Sequence, residues 1–200
     1  MRRRKRIMIN ILVVLGLTLM IWIILSIVVG KKGPEKTIII GQSDAEQKAF
    51  IIYDPDPIYN LDEKISRSFA EGLAEKGWMS KIVTVAAAKN SEEPFDLYVF
   101  CANTYNWTPD KAISDYIRNN DDLRGKKVVA ITLGSGSTKR SQRILEDLIK
   151  QKEAVLIGSR TFWLMKPNSE SKTKRSNIKI AVEMANTFGK EVSENVKGLE

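Results

Sequence analysis

The sequence predicts a three-layer α/β domain, with helices on both faces of a five-stranded parallel sheet, preceded by one N-terminal transmembrane helix. Three observations carry this expectation. From Lys48 onward, short apolar runs of strand length alternate with longer amphipathic stretches, the pattern of parallel strands joined by helical crossovers. The apolar runs are continuous rather than alternating, as strands covered on both faces require. Residues 7–29 carry no charge at all. A chain of 200 residues has room for one such domain and an appendage.

The first six residues form a basic flank, and Ile7 to Val29 follows as an apolar run broken only by Asn10, Gly16, Thr18 and Ser26. As a helix it reaches roughly 35 Å, enough to cross the hydrocarbon core with some tilt. A cleaved signal peptide is the alternative. The run is longer than the usual signal core, and Val28-Val29-Gly30 is a weak cleavage match, so a retained anchor is expected. The bilayer is thus the first expected partner. Five bases in residues 2–6 precede the span, while Lys31, Lys32 and Lys36 follow it. The positive-inside rule then places the N-terminus in the cytoplasm and the domain on the outer face of the cell membrane.

The formal net charge of +8 belongs to this segment. Seven of the 32 Lys and Arg residues lie in residues 1–32 with no acid, which leaves 25 bases against 24 acids in the rest. A basic face for nucleic acid is not expected from that balance. Residues 30–47 form a linker with Gly33 and Pro34, in which Thr37–Ile40 is either a short strand or an extended tether. The domain proper is expected over 48–200.

Its elements follow in order. Ala49–Tyr53 is the first strand, stopped by Asp54-Pro55-Asp56-Pro57. Asn60 is placed to cap the next helix, with Glu63 completing a capping-box spacing. Ile65, Phe69 and Leu73, with Ala70 and Ala74, form that helix's apolar face, and Gly77 ends it. Ile82–Val85 is the second strand and Asp96–Cys101 the third. A helix from about Pro109 buries Ala112, Ile113, Tyr116 and Ile117. Val128–Leu133 is the fourth strand. The Gly134-Ser135-Gly136-Ser137 turn then leads into a helix with Ile144, Leu145, Leu148 and Ile149 on one face. Ala154–Ile157 is the fifth strand. A polar loop, 167–176, precedes a final helix carrying Ile178, Ala181, Val182, Ala185 and Phe188.

Composition removes much chemistry at once. Histidine is absent and Cys101 is the single cysteine. That excludes Ser-His-Asp and Cys-His nucleophiles, His-ligated metal centres, intrachain disulfides and a CxxC redox pair. Cys101, ending a strand, is expected to be a buried small hydrophobe. Ligands of such sheets bind beyond the carboxyl ends of the strands, which singles out the loops 54–60, 102–109 and 133–138.

The stretch from Asp96 through Asn103-Thr104-Tyr105-Asn106-Trp107-Thr108-Pro109 into Ala112–Ile117, with Leu123–Thr132 after it, resembles the flavodoxin family. There a buried strand ends in a Pro-Thr-Tyr-like loop followed by Pro and a helix. The order of elements from Lys48 to Val192 is similar as well. The resemblance implies a flavodoxin-like fold with strand order 2-1-3-4-5 and non-covalent FMN. On that basis Thr104, Tyr105, Asn106 and Trp107 would flank the flavin ring. Gly134, Ser135, Gly136 and Ser137 would let backbone amides approach its edge. Asn60 is the one residue of the first loop that matches the phosphate loop.

That first loop otherwise departs from the family. Asp54-Pro55-Asp56-Pro57-Ile58-Tyr59-Asn60 lacks the hydroxyl side chains of a phosphate loop, has two prolines without N–H donors, and presents two carboxylates to a dianion. Asp54, Asp56, Asn60 and Asp62 could instead offer oxygen ligands to a hard cation, but the EF-hand spacing is missing. A Pro-stiffened turn with acids at a helix start is the simpler expectation. Two functions follow. One is a membrane-anchored FMN protein passing electrons to or from a membrane redox partner or quinone. The alternative is a flavodoxin-fold domain that has lost flavin and serves as a tethered binding module.

Overall fold

The computed structural model describes residues 2–29, 33–56, 58–88, 94–170 and 175–198. The linker residues 30–32, Pro57 of the first loop, and 171–174 of the polar loop lie outside the described residues. Two units separate, residues 1–31 and 32–200. The first is helix α1, Arg2–Val29. Its stretch Arg4–Leu25 is long and apolar enough to cross a membrane, and none of it is buried.

The second unit is built on one sheet. Its strands are β1 (Thr37–Ile40), β2 (Lys48–Tyr53), β3 (Met79–Thr84), β4 (Leu97–Tyr105), β5 (Thr108–Pro109), β6 (Lys127–Gly134) and β7 (Val155–Trp163). The order is β1-β3-β2-β4-β6-β7, with β5 paired to β4 alone. The run β3-β2-β4-β6-β7 is parallel throughout and reproduces the expected 2-1-3-4-5. Thr37–Ile40, which the sequence left open, is a strand. It lies antiparallel along the outer edge of β3, with Thr37 opposite Val83 and Ile40 opposite Ser80.

Alternate residues of β2 serve two cores. Ile51 and Tyr53 face Phe69, Trp78, Phe188 and Val192 on one side. Phe50 and Ile52 face Phe100, Ile117, Leu145 and Ile149 on the other. The first core is covered by α2 (Leu61–Ala74) and α6 (Asn177–Lys197), the second by α4 (Lys111–Asn119) and α5 (Lys139–Gln151). Both sheet faces are therefore closed, which explains why the strands are apolar without alternation.

Several boundaries differ from the sequence expectation. Val85 does not extend β3. It opens α3, a helix of four residues, Val85–Ala88. The strands β4 and β7 run well past Cys101 and Ile157, through polar residues that no apolar pattern marks. Ala112, Tyr116, Ile144, Ile178 and Val182 are half-buried rather than buried. Asn60 does not cap α2. Its backbone is left-handed (φ 49°, ψ 36°) and its side chain makes no cap hydrogen bond. The Glu63 N–H in the first turn is met by the Asp62 carboxylate instead.

Candidate functional site

Because the five long strands are parallel, the loops after β2, β4, β6 and β7 gather at one end of the sheet, where ligands of such folds sit. The loop after β2 turns inward on its own acids. Asp56 Oδ1 accepts the N–H groups of Ile58 (2.7 Å) and Tyr59 (3.0 Å). The Asp56 N–H donates to Asp62 Oδ2, a short contact. Asp62 is fully buried at the start of α2. It also accepts the Asn103 side-chain amide (3.0 Å) and, through Oδ1, the Glu63 N–H (2.7 Å).

The second loop is drawn into the same network. Tyr105 does not stand free to stack on a ligand, since its hydroxyl donates to Asp56 Oδ2 at 2.9 Å. Thr104 and Tyr105 belong to β4 and pair with Pro109 and Thr108 in a tight hairpin. Asn106 and Trp107 form its turn, both with positive φ (50° and 61°). Trp107 is 58% exposed. Asp110 closes the hairpin. Its carboxylate accepts the Asn103 N–H and the Ile113 N–H, each at 2.8 Å, so it caps α4 and fixes the strand end together.

Burial without a cation sets the electrostatics. Burial pushes the Asp110 carboxyl up to about 8, against the pull of the Ile113 N–H, and the Asp54 charge adds to the rise. Burial and then the Asp62 charge raise Asp54 to about 6. Asp62 is raised by burial although three hydrogen bonds oppose it. Tyr105 is raised by burial and by its bond to Asp56. Glu63 is the contrast: burial raises it, but Lys36 (2.7 Å) and Arg67 (2.9 Å) more than offset that and hold it low. Burial likewise pushes the Cys101 thiol up, so it is an inert core group as expected.

The third loop stands apart from these acids. A Cβ on Gly134 would lie 2.6 Å from Thr138 Cγ2 and 3.2 Å from Thr104 Cβ, so only glycine fits where the two loops touch. Ser135 is exposed, and its carbonyl accepts the N–H groups of Met165 and Lys166. Gly136 and Ser137 line a shallow cavity of about 460 Å³ with Lys139, Gln142, Trp163 and Lys166. Trp163 Nε1 donates to Thr138 Oγ1 at 2.8 Å.

Of the residues expected to hold FMN, the structure brings Thr104 next to Gly134 and leaves Asn60 exposed at the helix start, outside every cap bond. Asn103 and Asp110 were not among the expected site residues, and Asp62 was expected only as one of four oxygen ligands to a hard cation. Only Asp110 had a visible signal, a polar residue directly after Pro109 and before a periodic apolar stretch. The FMN phosphate does not fit the first loop: its N–H donors at Asp56, Ile58 and Tyr59 are taken by carboxylates. Lys36 and Arg67, which reach this corner, are bonded to Glu63. Among the described residues no group of three or more acids, cysteines or histidines is arranged to hold a metal ion.

The three-layer order, the 2-1-3-4-5 parallel core and the strand-tip cleft region define a flavodoxin-like fold. Comparison with solved structures agrees. A flavodoxin, WrbA-like protein from Agrobacterium tumefaciens superposes with a TM-score of 0.57 at 14% identity, covering 78% of this chain and all of that one. Flavodoxin 1 from Bacillus cereus gives 0.55 at 16% identity, over 74% of this chain and 98% of its own. The rubredoxin oxygen:oxidoreductase of Desulfovibrio gigas gives 0.60 at 16% identity over 76% of this chain, which spans 36% of that larger protein. No protein-family model and no curated protein matches the sequence.

Proposed function

We propose that this chain is a membrane-tethered flavodoxin-fold domain that acts as a binding module, its strand-tip loops rebuilt so that they do not hold FMN by its phosphate. The observation that carries this reading is the Asp56 carboxylate. It accepts two loop N–H groups and the Tyr105 hydroxyl at once. A phosphate at that point would have to displace it from all three donors and then stand against Asp54 and Asp62. Two like charges in contact cost about 1 kcal/mol in water and several times that when partly desolvated. The apolar span Arg4–Leu25 supports the tether. The flanking charges favour an outer-face domain.

A second reading, FMN-dependent electron transfer with a membrane redox partner or quinone, is favoured by the exposed Trp107 indole and the small-residue turn Gly134–Ser137. These leave two of the three expected loops compatible with a flat ring, and the bound flavin itself would supply the redox chemistry. Titrating the full chain in detergent with FMN, and in parallel with riboflavin, separates the two. The protein is expected to purify colourless and to leave FMN fluorescence unchanged. Stoichiometric FMN in the purified protein would replace the first reading with the second.

A further inference from the structure

Six large apolar side chains of the described 32–200 unit are exposed: Ile39, Ile58, Tyr59, Trp107, Val155 and Met165. Four of them share one end. Ile58 and Tyr59 follow β2, Trp107 is the tip of the β4–β5 hairpin, and Met165 follows β7, three strands that run in the same direction. Their exposure, from 48% at Tyr59 to 69% at Met165, gains the folded monomer nothing. Clustered exposed apolar groups mark an interaction surface.

The chain enters this unit at the same end. Thr37 lies opposite Val83, at the carboxyl end of β3. Thr84 Oγ1 donates to the Pro34 carbonyl at 2.8 Å. Gly33 sits against Pro55 in the loop after β2, where an added Cβ would come within 2.7 Å of Pro55 Cδ. Helix α1 ends at Val29, and the chain from there to Gly33 spans at most about 14 Å when fully extended. A bilayer that holds α1 is therefore within reach of these loops, whatever angle the helix takes.

The charges at this end are compatible with lipid headgroups. Lys139, at the start of α5, and Lys166, on the loop after β7, have no acidic partner among the described residues, and Lys166 Nζ lies 4.2 Å from the Trp163 ring centroid. Asp56, Asp62 and Asp110 are turned into the hydrogen-bond network, while Glu35 and, on the loop after β7, Glu170 are exposed acids among the described residues. Aromatic and aliphatic tips interleaved with lysine suit the headgroup level of a membrane.

We propose that the strand-tip loops are a membrane-docking face, resting on the tether proposed above. Ile58, Tyr59, Trp107 and Met165 insert at the headgroup level of the bilayer that α1 spans, with Lys139 and Lys166 beside anionic lipid. Tethering makes the contact intramolecular, so a face too weak to recruit a free domain is still occupied.

The test reconstitutes the full chain in vesicles of phosphatidylcholine with a minority of phosphatidylglycerol and a spin-labelled lipid quencher. A fluorophore is placed on Ser135→Cys at the tip end, or on Gln151→Cys at the end of α5, the opposite pole; the native Cys101 is buried. Quenching is expected to be several-fold stronger at 135 than at 151. Combined Ile58→Ser, Trp107→Ser and Met165→Ser substitution is expected to remove most of that difference while the chain still floats with the vesicles. Equal quenching at the two sites in a chain that floats overturns the docking face and leaves the tether standing. So does a difference that survives the triple substitution, which would report tether length alone. A chain that does not float overturns both.

Discussion

Asp110 joins two elements through one carboxylate, taking the Asn103 N–H at the end of β4 and the Ile113 N–H at the start of α4. Replacing it by Ala removes both acceptors, and losing a helix cap alone costs about 1–2 kcal/mol. In a fragment of residues 32–200, Asp110→Ala is expected to lower the urea midpoint accordingly, whereas Asp110→Asn retains part of the cap. The same residue sets a pH dependence. Its carboxyl moves from 3.8 to about 8 on folding, so the folded state keeps a proton that the unfolded state has released between those values. The resulting stability is fully present below the unfolded value and is lost as pH rises through about 8. Asp54 adds a loss of the same sign, complete by about pH 6 to 7. Glu63 has the opposite sign and acts only in acid, because its folded value is lowered. Thermal unfolding from about pH 5 to pH 9 is therefore expected to show a falling midpoint, flattened at the upper end by Asp110→Asn. A midpoint that rises across this range would refute the assignment. Asn60 was expected to cap and does not, whereas Asp110, which the sequence reading passed over, does. The difference lies in the backbone: Asn60 is left-handed, and Asp62 rather than Asn60 accepts the Glu63 N–H, while Asp56 ties up the Ile58 and Tyr59 N–H groups just before the helix.

Helices α2 and α6 meet backbone to backbone. A Cβ on Gly72 would lie 2.0 Å from the Asn186 carbonyl oxygen, and one on Gly189 would lie 2.2 Å from that of Phe69. Neither neighbour is a movable side-chain end, so an added methyl must drive the helices apart. Gly189→Ala is expected to cost about 1–3 kcal/mol, the range for overpacking a tight core. This is so although alanine is the better helix former. A urea midpoint equal to that of the parent would show that the helices separate freely. The apolar stripes of both helices were plain in the sequence, as were the five central strands and their order by resemblance. The strand ends were not. β4 continues through Asn103, Thr104 and Tyr105 because β5 and β6 supply partners for their backbone, and β7 continues to Trp163 along β6. Periodicity reports burial, and these residues are held by pairing instead. The candidate site suffered most from this, since its geometry is set where the strands outrun their apolar pattern.

At the scale of the whole molecule, charge is segregated rather than spread. Five bases precede the apolar span and three lysines follow it closely, while the remainder of the chain is close to neutral. Positive flanks resist translocation, so the difference favours an N-terminus held inside and a domain carried across. This orientation agrees with the proposal of a binding module without FMN, because the outer face of a cell lacks a ready supply of reduced nicotinamide to recharge a flavin. It is open to a direct check. Glu35 is exposed just before β1, and the native thiol, Cys101, is buried in the core. A Glu35→Cys chain is expected to react with a membrane-impermeant maleimide in intact cells, with the parent chain unlabelled. Neutralising the bases of residues 2–6 in that background is expected to cut the external labelling and to raise the fraction labelled only after permeabilisation. Glu35→Cys that reacts only after permeabilisation would place the domain in the cytoplasm. Reduced nicotinamide would then be at hand, leaving the Asp56 and Asp62 carboxylates as the remaining obstacle to a flavin.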